Sequence, residues 1–271
     1  MMRIDTNSPL ILETGKYIGN EVNQHSFDGI IASDTFYEAD IVSDWHCHQN
    51  PHFSHILNGG SIEIRENDKR KQQQGTSLYY YPGIIHQNIS YVNGTRIFNL
   101  EFTADFLAKY DLNIPDESYM FSQSVQWSTN GLVKIMGEHY LDDQQSILAI
   151  QQLSIILLTF SIPIDRIGPA WTSRIKDLLY NHWNSPLSLS FISQELNLHP
   201  VTISRYFPQY FGCTIGDYLR RIKIEKALPM IRLKKHSLTE IAVNCGFADQ
   251  AHFIKTYKRF MGITPRQYQK M

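Results

Sequence analysis

Cysteine is scarce in this chain. The three residues present, Cys47, Cys213 and Cys245, show no C-x-x-C spacing and make an odd count, which fits a reduced, cytosolic setting. Long apolar runs are missing too. Leu153 to Ile164, the most apolar stretch, is interrupted by serines, a threonine and a proline and is too short to span a bilayer. The opening residues, MMRIDTNSPLILETGKY, hold no apolar core of signal-peptide length. A soluble, cytoplasmic protein without a membrane partner is therefore expected. Outside the histidines no acid, base or nucleophile sits in a recognisable catalytic motif, so the chain does not read as an enzyme.

Net charge is nearly absent as well, at −1 over 271 residues, but the sum hides a division. From Ala170 onward there are 15 Lys/Arg and 6 Asp/Glu, whereas the part before it has 10 and 20. A merely solvated surface would mix the signs. Segregation instead gives the C-terminal part the attraction for a polyanion that a nucleic-acid face needs. The length accommodates two domains with separate cores.

The most informative stretch is SLTEIAVNCGFADQAHFIKTYKRFMGITPRQY, Ser237 to Tyr268. Ser237 and Glu240 form a capping box for a short helix that carries Ile241 and Ala242 inward and ends at Gly246. Asp249 caps a second helix, in which Phe253, Tyr257 and Phe260 recur at spacings of four and three. Gly262 closes it, and Thr264 and Pro265 open a third. The run IAVNCGFADQAHFIKTYKRFMGITPRQY resembles the signature of the AraC/XylS family of bacterial transcription regulators: an IA pair, a GF pair, aromatics around a basic helix and a G-x-TP ending.

That resemblance extends upstream. LSLSFISQELNLHPVTISRYF is similar to the family's first helix-turn-helix, with Ile192 and Leu196 facing inward, Asn197 to His199 turning, Pro200 opening the next helix, and Ile203 and Phe207 as its core. The fold implied is a C-terminal all-α domain, 170–271, with two helix-turn-helix motifs. Its DNA-reading residues would be Val201, Thr202, Ser204 and Arg205 in the first motif and Gln250, Ala251, His252 and Lys255 in the second. Arg205 suits guanine, Gln250 suits adenine, and Val201 can pack on a thymine methyl. Arg220, Arg221, Lys223, Lys234, Lys235 and Lys258 are candidate phosphate partners. Thr214 and Asp217 would cap a linker helix of roughly 27 Å, which suits reading helices in successive major grooves about 34 Å apart. Pro208 falls late in the first reading helix and Pro229 within the linker helix, where an interior proline costs ~3 kcal/mol unless the helix kinks or ends, and His199 stands where Ser or Asp would make a better N-cap.

The N-terminal part is a series of short β-type runs broken by turns. His52 to Leu57 is followed by Asn58-Gly59-Gly60, then by the alternating strand Ser61 to Arg65, then by Ser77 to Tyr81. Asn93-Gly94 is expected to join Asn88 to Val92 with Thr95 to Phe102 as a hairpin. Several strands at this spacing suggest an all-β barrel or sandwich. Trp45-His46-Cys47-His48, His52, Gly59, Gly75, Pro82, Gly83 and His86 resemble the two motifs of a cupin barrel. The resemblance implies an α+β chain of two domains, with a cupin-like effector-binding and dimerisation domain at 1–165.

In metal-binding cupins two histidines, a glutamate and a later histidine converge on one ion. His46, His48 and His86 match the histidines, and His52 stands where glutamate is usual. Residues two apart on a strand face the same way, so His46 and His48 can both point inward. Three roles stay open for these histidines: ligands of a transition-metal ion such as zinc, copper, nickel or iron, contacts to a small organic effector, or packing in the wall. Tyr79-Tyr80-Tyr81 must split between the faces of its strand, and Tyr79 and Tyr81 join His46, His48, His52 and His86 as the effector-binding set. Arg96 and Glu101 are weaker candidates.

Two helices follow, Val125 to Tyr140 and Asp143 to Phe160, the second with Ile147, Ile150, Leu153, Leu157 and Phe160 on one stripe. In the family such helices often pair two subunits. The stretch 161–169, with Pro163, Gly168 and Pro169, reads as the interdomain connection. The function expected is a sequence-specific, DNA-binding transcription regulator, activation being the commoner sign among relatives. Its partners would be double-stranded DNA, a small-molecule or metal effector, a second copy of the chain and RNA polymerase. The alternative is a metal-dependent cupin enzyme with a DNA-binding tail.

Overall fold

The computed structural model describes residues 9–39, 41–66, 68–116, 124–143, 145–161, 169–185 and 187–271. The chain divides into two compact units, residues 1–162 with 267–271, and residues 163–266. In this division the last five residues group with the first unit. Most of the expected connection, 161–169, lies outside the described residues.

Ten strands are described in the first unit: β1 Leu10–Leu12, β2 Asn20–Phe27, β3 Ile30–Tyr37, β4 His46–His48, β5 His52–Asn58, β6 Gly60–Arg65, β7 Asp68–Gln73, β8 Ser77–Tyr80, β9 Gln87–Ile89 and β10 Thr95–Phe102. They form a five-stranded sheet in the order β2-β3-β10-β5-β8, a three-stranded sheet β7-β6-β9, and the parallel pair β1-β4. The expected barrel or sandwich takes the form of three hydrogen-bonded sheets that do not close into one barrel. The break lies at Gly59 and Gly60, whose φ values of 69° and 144° turn the chain out of the first sheet and into the second. A Cβ on Gly60 would sit 2.2 Å from the Gln72 carbonyl oxygen, so that turn admits only glycine. The hairpin expected around Asn93-Gly94 does not form. Ser90, with φ of 53°, ends β9 early; β9 pairs with β6, while β10 lies between β3 and β5.

β10 is buried along almost its whole length. Ile97 and Asn99 face a cavity, while Phe98 and Phe102 meet helical side chains, His139 at 5.3 Å and Phe106 at 5.7 Å. Phe106 belongs to α1, Ala104–Lys109, which Thr103 caps. The two long helices, α2 Ser124–Leu141 and α3 Ser146–Ser161, pack on each other, and α2 also covers β5 and β8. Leu132, Val133, Ile135 and Met136 of α2 and Ile150, Leu157 and Leu158 of α3 are buried, each worth ~1.5–3 kcal/mol. Ile147, expected on the inward stripe, is exposed beside Leu148. Among the described residues no helix is long and apolar enough to cross a membrane.

The second unit is helical: α4 Trp171–Asn181, α5 Leu189–Leu196, α6 Pro200–Phe211, α7 Ile215–Leu233, α8 Leu238–Asn244 and α9 Gln250–Met261, with α10 Pro265–Lys270 closing the chain. Local chemistry sets nearly every boundary. Ser188, Thr214 and Asp249 accept backbone N–H groups at the starts of α5, α7 and α9, and the Ser237/Glu240 capping box opens α8. His199 caps α6 through its ring, with Nδ1 accepting from the Val201 N–H at 3.3 Å. Left-handed Asn197, Gly212 and Gly262 end α5, α6 and α9. Neither helix ends at its proline, since α6 and α7 run through Pro208 and Pro229. Packing of Phe207, Leu228 and Ile231, all buried on those helices, offsets the lost backbone bond. Phe260 is only half-buried, and Thr256 and Met261 occupy the core with Phe253 and Tyr257.

Replacing Gly60 with alanine is expected to lower the unfolding free energy by at least ~2 kcal/mol, measured by chemical denaturation followed by circular dichroism. A change under half that would mean the turn at Gly60 tolerates a side chain.

Candidate functional site

Four histidines surround a cavity in the first unit. His46 and His48 project from β4 on the same side of Cys47, and His52 comes from β5. The late histidine, His86, is brought beside His46 by two backbone hydrogen bonds: each residue's N–H donates to the other's carbonyl at 2.9 Å. One ligand atom from each of His46, His48 and His86 lies within 4.8 Å of the others, and all three residues are buried. The ring of His52 is 4.3 Å from that of His48, but it lies outside this group and stacks on Tyr80 at 4.6 Å.

The protonation pattern suits lone-pair donation. His46 Nδ1 lies 2.8 Å from the Asp44 carbonyl and His86 Nδ1 2.9 Å from that of Ile84. A carbonyl only accepts, so each Nδ1 carries the proton and each Nε2 keeps its lone pair. Burial pushes His46 below its ordinary range, His48 and His86 well below it, and His52 down to about 3. All four are uncharged at neutral pH, the state in which imidazole binds a metal. His52 Nδ1 is buried and makes no well-formed hydrogen bond, although the Asn50 backbone lies close enough to favour its protonated form slightly. The cavity volume is about 30 Å³. That exceeds the ~10–15 Å³ that one water needs, and a larger organic molecule would require the walls to move.

The walls mix apolar side chains, Ile18, Leu78 and Ile97, with polar groups that bond one another. The Tyr80 phenol donates to Glu63 Oε2 at 2.7 Å, and Gln72 Nε2 donates to the same oxygen at 2.6 Å. On another side Glu101, 2 % exposed, accepts from the Gly15 N–H at 3.1 Å, the Tyr17 hydroxyl at 3.0 Å and Asn50 Nδ2 at 2.8 Å. This anchors Tyr17, whose ring lies 5.4 Å from His48 and 5.6 Å from His52. The assignment of Tyr79 and Tyr81 to the cavity is corrected. Tyr80 pairs in register with His52 and lines the cavity, whereas Tyr79 pairs with Phe53 and donates to the Pro115 carbonyl at 2.9 Å. Alternation along β8 puts Tyr79 on the other face, and Tyr81, just past the end of the strand, is not among the residues lining the cavity. Tyr17, Glu63 and Gln72 escaped sequence reasoning, because nothing local marks a residue whose partner lies on another strand. Arg96 is half-buried and paired with Asp34.

In the second unit the expected reading residues cluster on the outer faces of α6 and α9. Val201 is 63 % exposed; Ser204, Arg205, Ala251, His252 and Lys255 are exposed, and Thr202 and Gln250 are half-buried. Opposite them Ile203, Phe207, Phe253 and Tyr257 are fully buried. Several cations hold the helices together. Arg259 of α9 and Arg220 of α7 both bond Asp217 Oδ1, at 2.5 and 2.6 Å. Burial alone would raise the Asp217 carboxyl, but Arg259 and then Arg220 hold it below the usual range. Lys223 donates to the Gly246 carbonyl at 2.7 Å, tying α7 to the end of α8.

These short capped helices, with a basic composition and polar residues aligned on two outer faces, define a DNA-binding module of helix-turn-helix type. The family described as a helix-turn-helix domain matches residues 192–271. The chain carries at its C-terminus a helix-turn-helix domain of the AraC/XylS family. It is 28% identical over 175 residues to the HTH-type transcriptional activator RhaS of Salmonella paratyphi A, a match covering 59% of this chain and 63% of that protein. To RhaS of Salmonella arizonae it is 33% identical over 88 residues, 32% of each chain. The chain therefore spans less than two thirds of the curated relatives it matches. Among solved structures it is similar to the C-terminal domain of AraT, a response regulator from Geobacillus stearothermophilus, at 29% identity over 39% of this chain and 88% of that one, with a TM-score of 0.36. ToxT of Vibrio cholerae covers 90% of this chain and 97% of its own at 13% identity and a TM-score of 0.38. Scores this low carry no argument about the fold.

Glu225 of α7 has a buried Oε1 without a partner, and burial pushes its carboxyl from 4.5 up to about 8. A folded-state value above the unfolded one means stability present below pH 4.5 and lost as the pH rises toward 8. Glu225→Gln is expected to remove that loss and raise the thermal midpoint at pH 8 by a few degrees, ~2–4 °C, with little change at pH 5. Equal midpoint shifts at both pH values would contradict this assignment.

Proposed function

We propose that the protein is a cytoplasmic transcription regulator in which a cupin-like N-terminal domain senses a transition-metal ion and a C-terminal domain, with two helix-turn-helix motifs, reads DNA. The observation that carries the sensing half is the cluster of His46, His48 and His86, buried and uncharged, with ligand atoms within 4.8 Å of one another and with the tautomers of His46 and His86 fixed by backbone carbonyls. Zinc–imidazole bonds of ~2.0–2.1 Å place tetrahedral nitrogens ~3.3 Å apart, so the rings need to draw in by up to ~1.5 Å. His52, whose ring is 4.3 Å from that of His48, or Tyr80, 5.0 Å from that of His86, could take a fourth position. A bound ion would supply a cross-link between β4 and the segment ending at His86. Coupling to DNA requires that the linked arrangement favour one presentation of the DNA-binding domain.

For DNA reading, the support is that all eight expected residues lie away from the buried face of α6 or α9. Arg205 would read guanine and Gln250 adenine, with Val201, Thr202, Ser204, Ala251, His252 and Lys255 completing the two surfaces. The domains proposed are 1–165 and 170–271. A homodimer through α3 is part of the proposal, supported by Ile147 at 56 %, Leu148 at 68 % and Ile156 at 44 % exposed, an apolar surface that a second copy would cover. By likeness to named transcriptional activators, activation through RNA polymerase is the sign proposed.

Elemental mass spectrometry of untagged protein, purified without chelator, tests the sensing half. About one transition-metal ion per chain is expected, and His86→Ala should weaken binding by more than the ~10–100-fold that losing an outer-shell partner costs. No ion after supplementation with zinc, nickel, copper and iron would overturn the metal reading in favour of an organic effector. For the DNA half, Arg205→Ala should cost ~1–3 kcal/mol at one base pair, read by competition binding. An unchanged site preference would remove Arg205 from the reading set.

A further inference from the structure

We propose that Thr239 is a positioning residue for base readout by Gln250, an inference that rests on the reading of α9 as a DNA-contacting helix. Gln250 is the first residue of α9. Its carboxamide is the one group of the second reading surface able to pair bidentately with adenine. A free glutamine side chain, with three rotatable bonds, must be ordered before it can do so, at a cost in binding.

In this chain it is already held. Thr239 Oγ1, in the first turn of α8, donates to Gln250 Oε1 at 2.6 Å, across a separation of 11 residues. The bond spans the turn between the two helices. A carboxamide oxygen has two lone pairs and its nitrogen two protons. With one lone pair given to Thr239, the other remains for the adenine amino group, and an N–H remains for N7.

Neither residue is needed for capping. Ser237 and Glu240 close the α8 capping box between themselves. Asp249 caps α9 by accepting the His252 N–H at 2.7 Å. Thr239 is also exposed, so its hydroxyl contributes little to the core. Helix termination and packing leave the contact with Gln250 as the bond that hydroxyl makes.

The test uses the full chain and a randomised duplex DNA library to obtain the preferred site, followed by competition binding against its single-base-pair variants. Gln250→Ala identifies the base pair that Gln250 reads. Thr239→Val, which keeps the shape and removes the hydroxyl, is expected to reduce discrimination at that same base pair by about three- to tenfold, while Thr239→Ser stays within about twofold. Thermal midpoints of the three variants should match that of the parent chain. If Gln250→Ala relaxes one base pair and Thr239→Val relaxes none, the positioning role is overturned. A uniform loss over all sites with Thr239→Val overturns it as well. Should Gln250→Ala change no base pair, the reading of Gln250 as a base contact fails, and the positioning role fails with it.

Discussion

Two backbone hydrogen bonds, exchanged between His46 and His86 at 2.9 Å, are the constraint on which the first unit's chemistry depends. They join two segments forty residues apart in sequence and set their imidazoles side by side. Once the backbones are so held, the carbonyls of Asp44 and Ile84 lie where each Nδ1 must donate, and the Nε2 lone pairs are left for the cavity. Burial then keeps the rings uncharged. A loop swinging freely at His86 would supply the same residue without this geometry.

The layer behind the histidines explains how so many polar groups stay inside a small sheet-rich unit. A buried donor or acceptor without a partner costs about 1–3 kcal/mol, and here most have one. Glu63 takes Tyr80, Gln72 and Arg65, and Glu101 takes Gly15, Tyr17 and Asn50. The two carboxylates thereby fix the aromatic rings that face His48, His52 and His86. Among the described residues His52 Nδ1, Ser33 Oγ, His139 Nδ1 and Ser154 Oγ are buried without a well-formed bond, and of these His52 is the one that lines the cavity.

In the second unit cations divide between two kinds of work. Arg205 and Lys255 stand in solvent on the outer faces. Arg259 and Lys223 instead bond Asp217 and the Gly246 carbonyl and so brace α7 against α9 and the end of α8, while Arg220 pairs with Asp217 within α7. Basic composition alone cannot separate these roles, because a guanidinium serves a phosphate and a buried-edge carboxylate equally well. The thirteen residues from Ser237 to Asp249 show the complement: their structure is almost wholly local, from the capping box to the left-handed Gly246.

That difference marks what was legible in the residues themselves. Helix starts at Thr214, Ser237 and Asp249, the inward set Ile192, Leu196, Ile203, Phe207, Phe253 and Tyr257, and the shared direction of His46 and His48 all follow from bonds or periodicities within a few positions. The family of the C-terminal segment follows from the same local pattern. Strand pairing did not. That β9 joins β6 and β10 lies between β3 and β5, that Tyr80 and not Tyr79 faces the histidines, and that Glu101 is an internal anchor were all decided in three dimensions. Register shifts of one residue exchange the faces of a strand, and hydrogen bonds between distant segments leave no periodic trace in the chain that makes them. Pro208 and Pro229 carry the same lesson for helices, since a local penalty of ~3 kcal/mol is outweighed once the surrounding core is assembled.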